Sequence, residues 1–240
     1  MANKGGGTKL KRQAAPNFWK IERKQSRFVL KVSPGPHSKS SSYPLGVVLR
    51  DILKVCRTMH EAKIIVKGRK VKIDGQICLD VNRAIGLMDV LEFSPSGEAF
   101  RFIAKDSDIL RPVSISHQET KSKIAKISRK VKVKGGKLQY GFHDGKTIIS
   151  DEEMNVGDSC ILSIPEMKVT NRIKFEKGCS ALVTRGENAG VIGRVEDVRE
   201  GIFSLPKRAL LSFGNRSVEL PVDIVIPVVP EEPAIRVSQE

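Results

Sequence analysis

The chain has 240 residues, with 42 lysines and arginines against 27 aspartates and glutamates, which gives a formal net charge of +15 and a sequence pI near 9.8. A hydrophobic content of 40% supports several small cores better than one large core, and so positive a balance indicates a polyanionic partner. The sequence has no run of about 18 apolar residues and no basic helix with an aromatic or leucine face, which argues against a membrane partner and favours a nucleic acid.

The cysteines and histidines give no sign of a metal site. Cys56, Cys78, Cys160 and Cys179 show no C-x-x-C spacing, and the four histidines do not complete a set of short-spaced ligand pairs. The N-terminus also lacks the apolar stretch of a secretory signal. We therefore expect a reduced, cytoplasmic protein with no structural metal and no cofactor.

Residues 1–42 are predicted to form a basic N-terminal arm. Residues 1–39 contain 10 lysines and arginines but a single acid, Glu22, and a run rich in proline, serine and glycine covers 33–42. Because such a segment cannot close a core alone, we expect residues 1 to about 16 to be disordered in the free protein and to order on a nucleic acid. Phe18 and Trp19 stand among basic residues, where a ring either anchors the arm on the protein or stacks on a base.

Residues 43–94 carry the clearest pattern, beginning with a helix that has Pro44 in its first turn and separates apolar from basic residues. Its apolar side consists of Leu45, Val48, Leu49, Ile52 and Cys56. Its basic side consists of Arg50, Lys54 and Arg57.

A second helix is predicted over 58–67, since Thr58 and Glu61 match a capping box and Gly68 follows the last periodic residue. Its buried side is expected to consist of Ala62, Ile65 and Val66, and its basic side of Lys63 and Lys67.

A hairpin should follow this helix, because Asp74-Gly75 is the strongest short signal for a two-residue turn. Before the turn, Val71 and Ile73 alternate with Lys70 and Lys72, and Ile77 and Leu79 continue on the return strand. Any one of these cations alone is typical of an ordinary solvated surface. Three neighbouring elements that all place cations away from the core favour a phosphate-binding surface instead.

Residues 95–173 change to a period of two and predict a central β domain, a small antiparallel barrel. Strands are expected around 100–102, 112–115, 130–134, 138–142 and 160–164, with turns at Gly135-Gly136 and at His143-Asp144-Gly145. In the strand over 130–134, Val131 and Val133 form an apolar face, and Lys130, Lys132 and Lys134 form a lysine face.

His143 and Asp144 could form part of a catalytic dyad with Ser150 or Cys160, but no nucleophile elbow or other motif supports this interpretation. Adjacent residues in a tight turn are more often there for turn chemistry, since aspartate bonds its own backbone and glycine supplies a positive φ. We therefore expect no catalytic residue.

Residues 174–226 predict a third, small β domain, and the acidic, proline-rich tail over 227–240 should be mobile. A loop with glycines covers 186–190 between two strands, and further strands are expected over 201–205 and 218–226. Between residues 175 and 240, 8 basic residues stand against 10 acidic ones, so the positive charge is concentrated at the front of the chain.

Several stretches resemble known RNA-associated modules. The segments PLGVVLRDIL, EAKIIVKGRKVKIDGQ and GLMDVLEF within 43–94 resemble the S-four RNA-binding domain, a small helix-helix-hairpin unit. KLKRQAAPNFWKIERK at 9–24, followed by SPGPH, resembles the opening of the S-four-e family of small-subunit ribosomal proteins. HDGKTI resembles that family's HDGRTI-like segment, with Lys146 in place of the usual arginine. Residues 177–198 resemble a KOW motif, with Glu187 in the loop and Val191 where a basic residue usually stands.

The family resemblance implies a structural constituent of the small ribosomal subunit that binds rRNA and neighbouring ribosomal proteins and has no small-molecule substrate. The expected fold is α+β and multidomain: an S-four-like helix-helix-hairpin domain, then a central β domain and an SH3-like KOW barrel. The predicted RNA-binding residues are Lys4, Lys9, Lys11, Arg12, Trp19, Lys20, Arg23, Lys24, His37, Lys39, Arg50, Lys54, Arg57, Lys63, Lys67, Lys70, Lys72, Lys130, Lys132, Lys134, His143 and Lys146.

Two other classes of protein stay open at this point. S-four domains are also attached to pseudouridine synthases and RNA methyltransferases, although the residues after 95 show neither a glycine-rich nucleotide-binding turn nor a large mixed α/β pattern. A regulator that binds RNA away from the ribosome is the second alternative.

Overall fold

The computed structural model describes residues 9–94, 96–105, 108–203, 205–214 and 216–228. Over these ranges the protein is mostly β, with few helices, so the α+β prediction overstates the helical share. The described strands form three five-stranded sheets and two short pairs. Val228 is 2% exposed, so the first residues assigned to the acidic tail belong to the fold, and the rest of that tail lies outside the described residues.

The arm packs on the protein from residue 9 onward. Strand β1 (Leu10–Lys11) pairs with β2 (Phe28–Val29), and 3₁₀ turns cover Arg12–Ala14 and Lys39–Ser41. Trp19 is buried, stacks on Tyr43 with ring centroids 5.7 Å apart, and donates its Nε1 hydrogen to the carbonyl of Ser42 over 2.9 Å. The structure therefore anchors the arm through Trp19 and places residues 9–16 in the fold, against the prediction that they are disordered.

The first helical segment is shorter than its sequence pattern predicts. It consists of α1 (Leu45–Val47) and a π-helical turn (Val48–Ile52), and it follows β3 (Tyr43–Pro44). Beyond its end Lys54 takes a left-handed φ of 54°, which turns the chain away from the helix axis. Of the three residues predicted to line one basic side, only Arg50 is helical, and Lys54 and Arg57 lie in the following loop.

The second helix, α2 (Met59–Lys67), confirms the predicted cap. The Thr58 hydroxyl accepts the backbone N–H of Glu61 over 3.2 Å, and the Glu61 carboxylate accepts the N–H of Thr58 over 3.4 Å. Ala62 and Val66 are fully buried, whereas Lys63 and Lys67 are exposed. The separation of apolar and basic sides predicted for this helix is therefore confirmed.

The first sheet crosses residue 95, where the sequence suggests a domain boundary. The strands of this part of the chain are β4 (Val71–Ile73), β5 (Gln76–Ile77), β6 (Ala84–Ile85), β7 (Val90–Phe93), β8 (Ala99–Lys105) and β9 (Asp108–Ile115). Strand β6 pairs with β3, and the others form a sheet in the order β5-β4-β7-β8-β9. Asp74 and Gly75 have φ values of 48° and 72°, so the predicted hairpin with its two-residue turn is present.

The second sheet corresponds to the later part of the predicted central domain. It contains β10 (Ser122–Lys132), β11 (Leu138–Phe142), β12 (Thr147–Ser150), β13 (Ser159–Ser163) and β14 (Val169–Ile173), in the order β12-β11-β10-β13-β14. Both predicted turns are present, with positive φ at Gly135, Gly136 and Gly145.

A bulge in β10 reverses the faces predicted for its lysines. The register shifts between Ile127, which lies opposite Phe142, and Arg129, so that Lys130 lies opposite the buried Tyr140. Residues opposite one another in an antiparallel pair share a face, and one inserted residue exchanges the two faces of a strand. Val131 is consequently 41% exposed, and Lys130 lies on the same face of the sheet as the buried Tyr140.

The third sheet contains β15 (Ser180–Val183), β16 (Ile192–Arg199), β17 (Arg208–Phe213), β18 (Arg216–Pro221) and β19 (Val225–Pro227), in the order β18-β17-β16-β15-β19. A 3₁₀ turn, Val222–Ile224, joins the last two strands. In place of the strand predicted over 201–205 the structure has a single isolated bridge between Ile202 and Leu205. The sequence pattern did not reveal β17.

The three sheets pack on one another through shared side chains. One apolar cluster contains Ile103 from β8, Ile124 from β10 and Leu182 from β15, all fully or almost fully buried. Lys126 strengthens the contact between the second and third sheets, because its ammonium donates to the carbonyls of Val222 and Val225 over 2.6 and 2.8 Å. Burial lowers the pKa of Lys126 to about 8.

The loop over 186–190, between β15 and β16 of the third sheet, packs against β8 of the first sheet. Gly190 has a φ of 89°, and a Cβ placed there would lie 2.4 Å from the Cα of Lys105. Gly186 in the same loop also has a φ of 89°, but nothing lies within 4 Å of such a Cβ. The close approach at Gly190 thus requires a residue without a side chain.

We predict that Gly190→Ala destabilises the protein more than Gly186→Ala. Both substitutions place alanine at a left-handed φ, which costs about 1 kcal/mol, but only Gly190→Ala adds a clash with backbone, typically a further 1 to 3 kcal/mol. Thermal unfolding followed by circular dichroism measures the difference. Equal losses of Tm in the two variants would contradict the docking of this loop on Lys105.

Candidate nucleic-acid interface

Cations of the arm, of the first helical segment and of the loop after it gather around two adjoining grooves. The larger groove, of about 820 Å³, is lined by Lys20, Arg50, Lys54 and Arg57 together with Ser26. The smaller, of about 340 Å³, shares Ser26 and is also lined by Lys11, Arg23, Lys24 and Arg27. We call the surface formed by these eight basic residues the basic face. Lys54 and Arg57 reach it from the loop after the helix, so the predicted cluster is assembled even though the predicted helix is too long.

Acids neutralise only part of the basic face, and two of them, Glu22 and Asp51, line the larger groove beside its cations. Arg50 pairs with Asp51 over 2.8 Å, and Lys20 of the arm pairs with Asp108 of β9. Arg23 is held by the arm itself, since its guanidinium donates to the carbonyls of Ala15 and Pro16 over 3.0 and 2.9 Å. The other cations of the basic face are exposed to solvent; they are Lys11, Lys24, Arg27, Lys54 and Arg57. Surface ion pairs such as that of Lys20 contribute little to stability, so a phosphate can replace the carboxylate at low cost.

An exposed aromatic ring that is not among the predicted contact residues lies at the edge of the basic face. Phe28 is 42% exposed, with Lys9 Nζ and Arg27 Cζ at 5.5 and 5.3 Å from its ring centroid. Phe18 and Trp19 are the aromatic residues that the sequence suggests for contact with bases, but Trp19 is buried and Phe18 packs edge-on against Tyr43. The sequence does contain a sign of this site, because Phe28 directly follows Arg27 in the basic arm, and an aromatic residue beside a cation is typical of contact with bases.

Other predicted contacts lie on separate exposed surfaces. These are Lys39 in the arm, Lys63 and Lys67 on α2, Lys70 beside the first hairpin, and Lys132 and Lys134 at the end of the second-sheet hairpin, whereas Lys72 within β4 is half-buried. Lys137 extends the last group and was not predicted. Lys130, on the same hairpin, pairs with Glu153 over 2.8 Å, and Lys4 lies outside the described residues.

Three predicted contact residues are buried and serve the fold instead. Arg12 is 2% exposed and bonds the carbonyl of Glu22 and the side chain of Gln25. Trp19 anchors the arm on Tyr43, as described above. His37 lies 2.9 Å from a carboxylate oxygen of Asp89, with both side chains 4% exposed. Sequence periodicity could not separate these residues from their exposed neighbours, because burial of the arm depends on residues distant in sequence.

His143 and Lys146 also point into the protein. The Nδ1 of His143 accepts the backbone N–H of Lys126 over 3.1 Å, and its Nε2 lies 3.2 Å from the carbonyl of Leu87. Burial lowers the pKa of His143 to about 4, so the ring is neutral at physiological pH and both nitrogens are satisfied. Lys146 pairs with Asp74 over 2.7 Å. The arm and the second sheet thus meet the first sheet through polar contacts.

At this meeting point lies a buried group of charges that we call the charge cluster: Lys123, Asp74, Asp89 and Asp144. The Lys123 ammonium is fully buried and lies 2.9, 2.6 and 2.8 Å from carboxylate oxygens of Asp74, Asp89 and Asp144. Asp74 and Asp144 both belong to hairpin turns, one in each of two sheets. Local turn chemistry explains their presence in the sequence but does not predict that their carboxylates face the same lysine.

The ionisation of the charge cluster is set by burial and by mutual attraction. Burial alone would lower the pKa of Lys123, but the three carboxylates outweigh it and raise the pKa above its ordinary value. Burial alone would raise the pKa values of Asp89 and Asp144, but Lys123 holds both below their usual range. Lys123, Asp89 and Asp144 are therefore charged in the folded protein at neutral pH.

The three carboxylates have the spacing of a metal site but are already occupied. Their oxygens lie within 4.8 Å of one another, and the Lys123 ammonium takes the position between them that a cation would need. The catalytic alternative also finds no support, because Asp144 is paired with Lys123 and burial raises the pKa of the Cys160 thiol to about 11. Among the described residues, no helix is long and apolar enough to cross a bilayer.

A mostly β chain that buries three carboxylates against Lys123, while eight of its cations gather on the basic face, has the charge arrangement of a polyanion-binding protein. Residues 4–40 match the RS4NT (NUC023) domain, and residues 96–169 match the family described as Ribosomal family S4e.

Relatives match over much longer stretches than these two segments. The small ribosomal subunit protein eS4 of Ignicoccus hospitalis is 33% identical over 253 residues, covering 100% of this chain and 98% of its own. The eS4 protein of Korarchaeum cryptofilum is 36% identical over 199 residues, covering 82% of this chain and 85% of its own. The crystal structure of the 30S ribosomal protein S4e from Thermoplasma acidophilum matches with a TM-score of 0.68 and 29% identity, over 80% of this chain and 97% of that one.

The chain belongs to the eS4 family of small ribosomal subunit proteins. This confirms the family resemblance seen in the sequence. It also confirms that the chain is a structural protein and not an enzyme, since its relatives over the whole length are ribosomal proteins.

We predict that Lys123→Met destabilises the protein by about 3 to 5 kcal/mol at pH 7, because it leaves three buried carboxylates without their central cation. The exposed Lys121, just before β10, supplies the matched control, and Lys121→Met should change stability by less than about 0.5 kcal/mol. Chemical denaturation gives both values.

The deficit of Lys123→Met should also depend on pH. In the wild type the depressed carboxylate pKa values contribute stability that is present above about pH 4, the ordinary aspartate pKa, and lost as the pH falls further. In the variant the carboxylates repel one another, so protonation relieves the strain and the deficit should be smaller at pH 4.5 than at pH 7. A deficit that does not change with pH would contradict an electrostatic origin.

Proposed function

We propose that the protein is a structural constituent of the small ribosomal subunit that binds rRNA through its basic face and works in the cytoplasm as part of that particle. The observation that carries this proposal is the full-length similarity to eS4 proteins of the small subunit. The basic face supplies the matching chemistry, since lysine and arginine bind phosphates and release condensed counterions. Neighbouring ribosomal proteins are the second class of partner.

Contacts of this kind position a protein without reading sequence. Lys54, Arg57 and the arm cations lie along adjoining grooves, which suits an RNA backbone that follows the surface. Phe28, between Lys9 and Arg27, is placed to stack on an unpaired base. The lysines of α2 and of the two hairpins would contact further backbone segments, so that several folded units hold rRNA in one arrangement.

We also propose module assignments within the chain. Residues 43–94 form the S-four-like unit, supported by the helical segment, the capped α2 and the hairpin that follow one another there. Residues 174–226 form an SH3-like KOW unit, supported by five antiparallel strands with a 3₁₀ turn before the last. In this chain the KOW loop packs on Lys105 through Gly190, so we assign it a role in domain packing instead of RNA contact.

The first test is association with ribosomes. Tagged protein expressed in an archaeal host should sediment with salt-washed small subunits in a near-stoichiometric amount, because a constituent exchanges slowly. A regulator that works away from the ribosome would be found mainly in the light fractions, and that distribution would overturn the proposal.

The second test concerns the basic face. Substituting Arg50, Lys54 and Arg57 together with alanine should weaken binding to structured rRNA and reduce the slope of log affinity against log salt by about 2 to 3, since each phosphate contact contributes about 0.7 to 0.9. Fluorescence anisotropy at several salt concentrations measures both quantities.

The matched control removes the same charge elsewhere. Lys168, Lys177 and Lys207 are exposed and paired with Glu166, Asp197 and Glu200 over 2.7, 2.6 and 2.6 Å, away from the basic face. Their triple substitution with alanine should leave the slope within about one half of the wild-type value. Equal effects of the two triple variants would show that net charge, and not the basic face, determines binding.

A further inference from the structure

The turn between β16 and β17 exposes three large apolar side chains. Phe203 is 109% exposed, Ile202 is 72% exposed and Leu205 is 42% exposed. The backbone that carries them is held by two hydrogen bonds, from the Ile202 N–H to the Leu205 carbonyl over 3.0 Å and from the Leu205 N–H to the Ile202 carbonyl over 2.9 Å. We call these three residues the apolar tip. These two bonds fix the positions of Ile202 and Leu205 relative to each other.

Among the described residues, none of the apolar clusters includes a side chain of the apolar tip. The core of the third sheet is built by other residues, among them Val183, Val195 and Leu211. Large apolar side chains grouped on an exposed turn are characteristic of contact sites, where aromatic anchors contribute most to affinity. The tip therefore fits an apolar pocket on a partner.

The charges around the apolar tip argue against a phosphate partner. Lys207 pairs with Glu200 over 2.6 Å, and Arg199 and Arg208 lie 3.5 and 3.8 Å from Glu219. Between residues 175 and 228, 7 basic residues stand against 7 acidic ones, in contrast to the 10 against 1 of residues 1–39. The third sheet thus has no net attraction for RNA, and the loop of its KOW-like motif is occupied by the contact with Lys105.

The composition of the apolar tip points the same way. A base-stacking site needs flat aromatic or guanidinium groups, whereas Phe203 is flanked by two branched aliphatic side chains that fill volume instead of stacking. Interfaces between proteins combine a buried apolar centre with a rim of paired charges of both signs. Ile202, Phe203 and Leu205, with the paired charges of Glu200, Lys207 and Arg199, have this arrangement.

We infer that the third sheet is a protein-docking unit, and that the apolar tip inserts into a pocket of aliphatic and aromatic side chains on a neighbouring protein of the small subunit. This inference rests on the proposed function for the identity of the assembly. Different parts of the chain then bind different partners: the arm and the first two sheets contact RNA, and the third sheet contacts protein.

The direct test identifies what lies against Phe203. The residue is replaced by the photoreactive p-benzoylphenylalanine in the full chain, small subunits are purified after a salt wash, and the irradiated particles are analysed by mass spectrometry. A crosslink to another ribosomal protein is the expected result. A crosslink to rRNA, a crosslink to a second copy of this chain, or no crosslink in particles that contain the protein would overturn the inference.

A second measurement separates docking from RNA binding. The double variant Ile202→Ser, Phe203→Ser should lose at least fivefold in retention on salt-washed subunits, while its affinity for rRNA alone stays within twofold of wild type and its Tm is unchanged. Val156→Ser supplies the control, because Val156 is also an exposed apolar residue, 58% exposed in the loop between β12 and β13 of the second sheet. This variant should behave as wild type in all three assays.

The outcomes distinguish this inference from the proposed function. If the wild type itself fails to associate with small subunits, the proposed function fails. If the wild type associates and the double variant is retained equally well, or loses RNA affinity to the same extent, the docking role of the apolar tip is wrong and the rRNA-binding role stands.

Discussion

The Lys123 ammonium, enclosed by three carboxylates, is the contact on which the arrangement of the chain depends. Asp74 and Asp89 come from the first sheet, Asp144 and Lys123 from the second, and the arm reaches the same place through His37. A buried charge without partners is very costly, so these segments are stable only when they are assembled together. Apolar packing between sheets tolerates small displacements, whereas an ammonium with three fixed acceptors selects one relative position.

Two glycines let the arm reach this contact. A Cβ on Gly86 would lie 2.3 Å from the ring of His37, and one on Gly145 would lie 2.8 Å from the carbonyl oxygen of Pro36. The Pro36-His37 pair is thus wedged between the two sheets, and the proline- and serine-rich run that looks like a linker in the sequence is a structural spacer. The basic part of the arm is consequently held beside Arg50 and Arg57, with its cations in place before any partner binds, which reduces the ordering cost of binding.

Local signals were read correctly from the sequence, and signals that depend on distant residues were not. The capping box at Thr58 and the turn at Asp74-Gly75 are determined by a few adjacent residues, so both could be predicted. The exchange of faces in β10 depends on one extra residue in the pairing with β11, and the burial of Arg12 depends on the fold of the arm around it. Neither the exchange of faces nor the burial of Arg12 can be predicted from residue types and their spacing. The basic face was predicted as a set of residues but not as a surface, because its loops and its arm meet only in the folded chain.

The charge cluster and the basic face are two results of the same distribution of acids. Asp74, Asp89 and Asp144 are buried against Lys123, and Asp158 is buried against Arg172 at 2.6 Å. These acids neutralise internal cations, so they do not reduce the positive potential outside. In the third sheet, by contrast, acids such as Asp197 and Glu200 lie at the surface beside Lys177 and Lys207. The net charge of +15 is therefore carried by the arm and the first two sheets, where a polyanion can bind, while residues 175–228 have equal numbers of basic and acidic residues and can meet another folded protein without strong long-range repulsion or attraction.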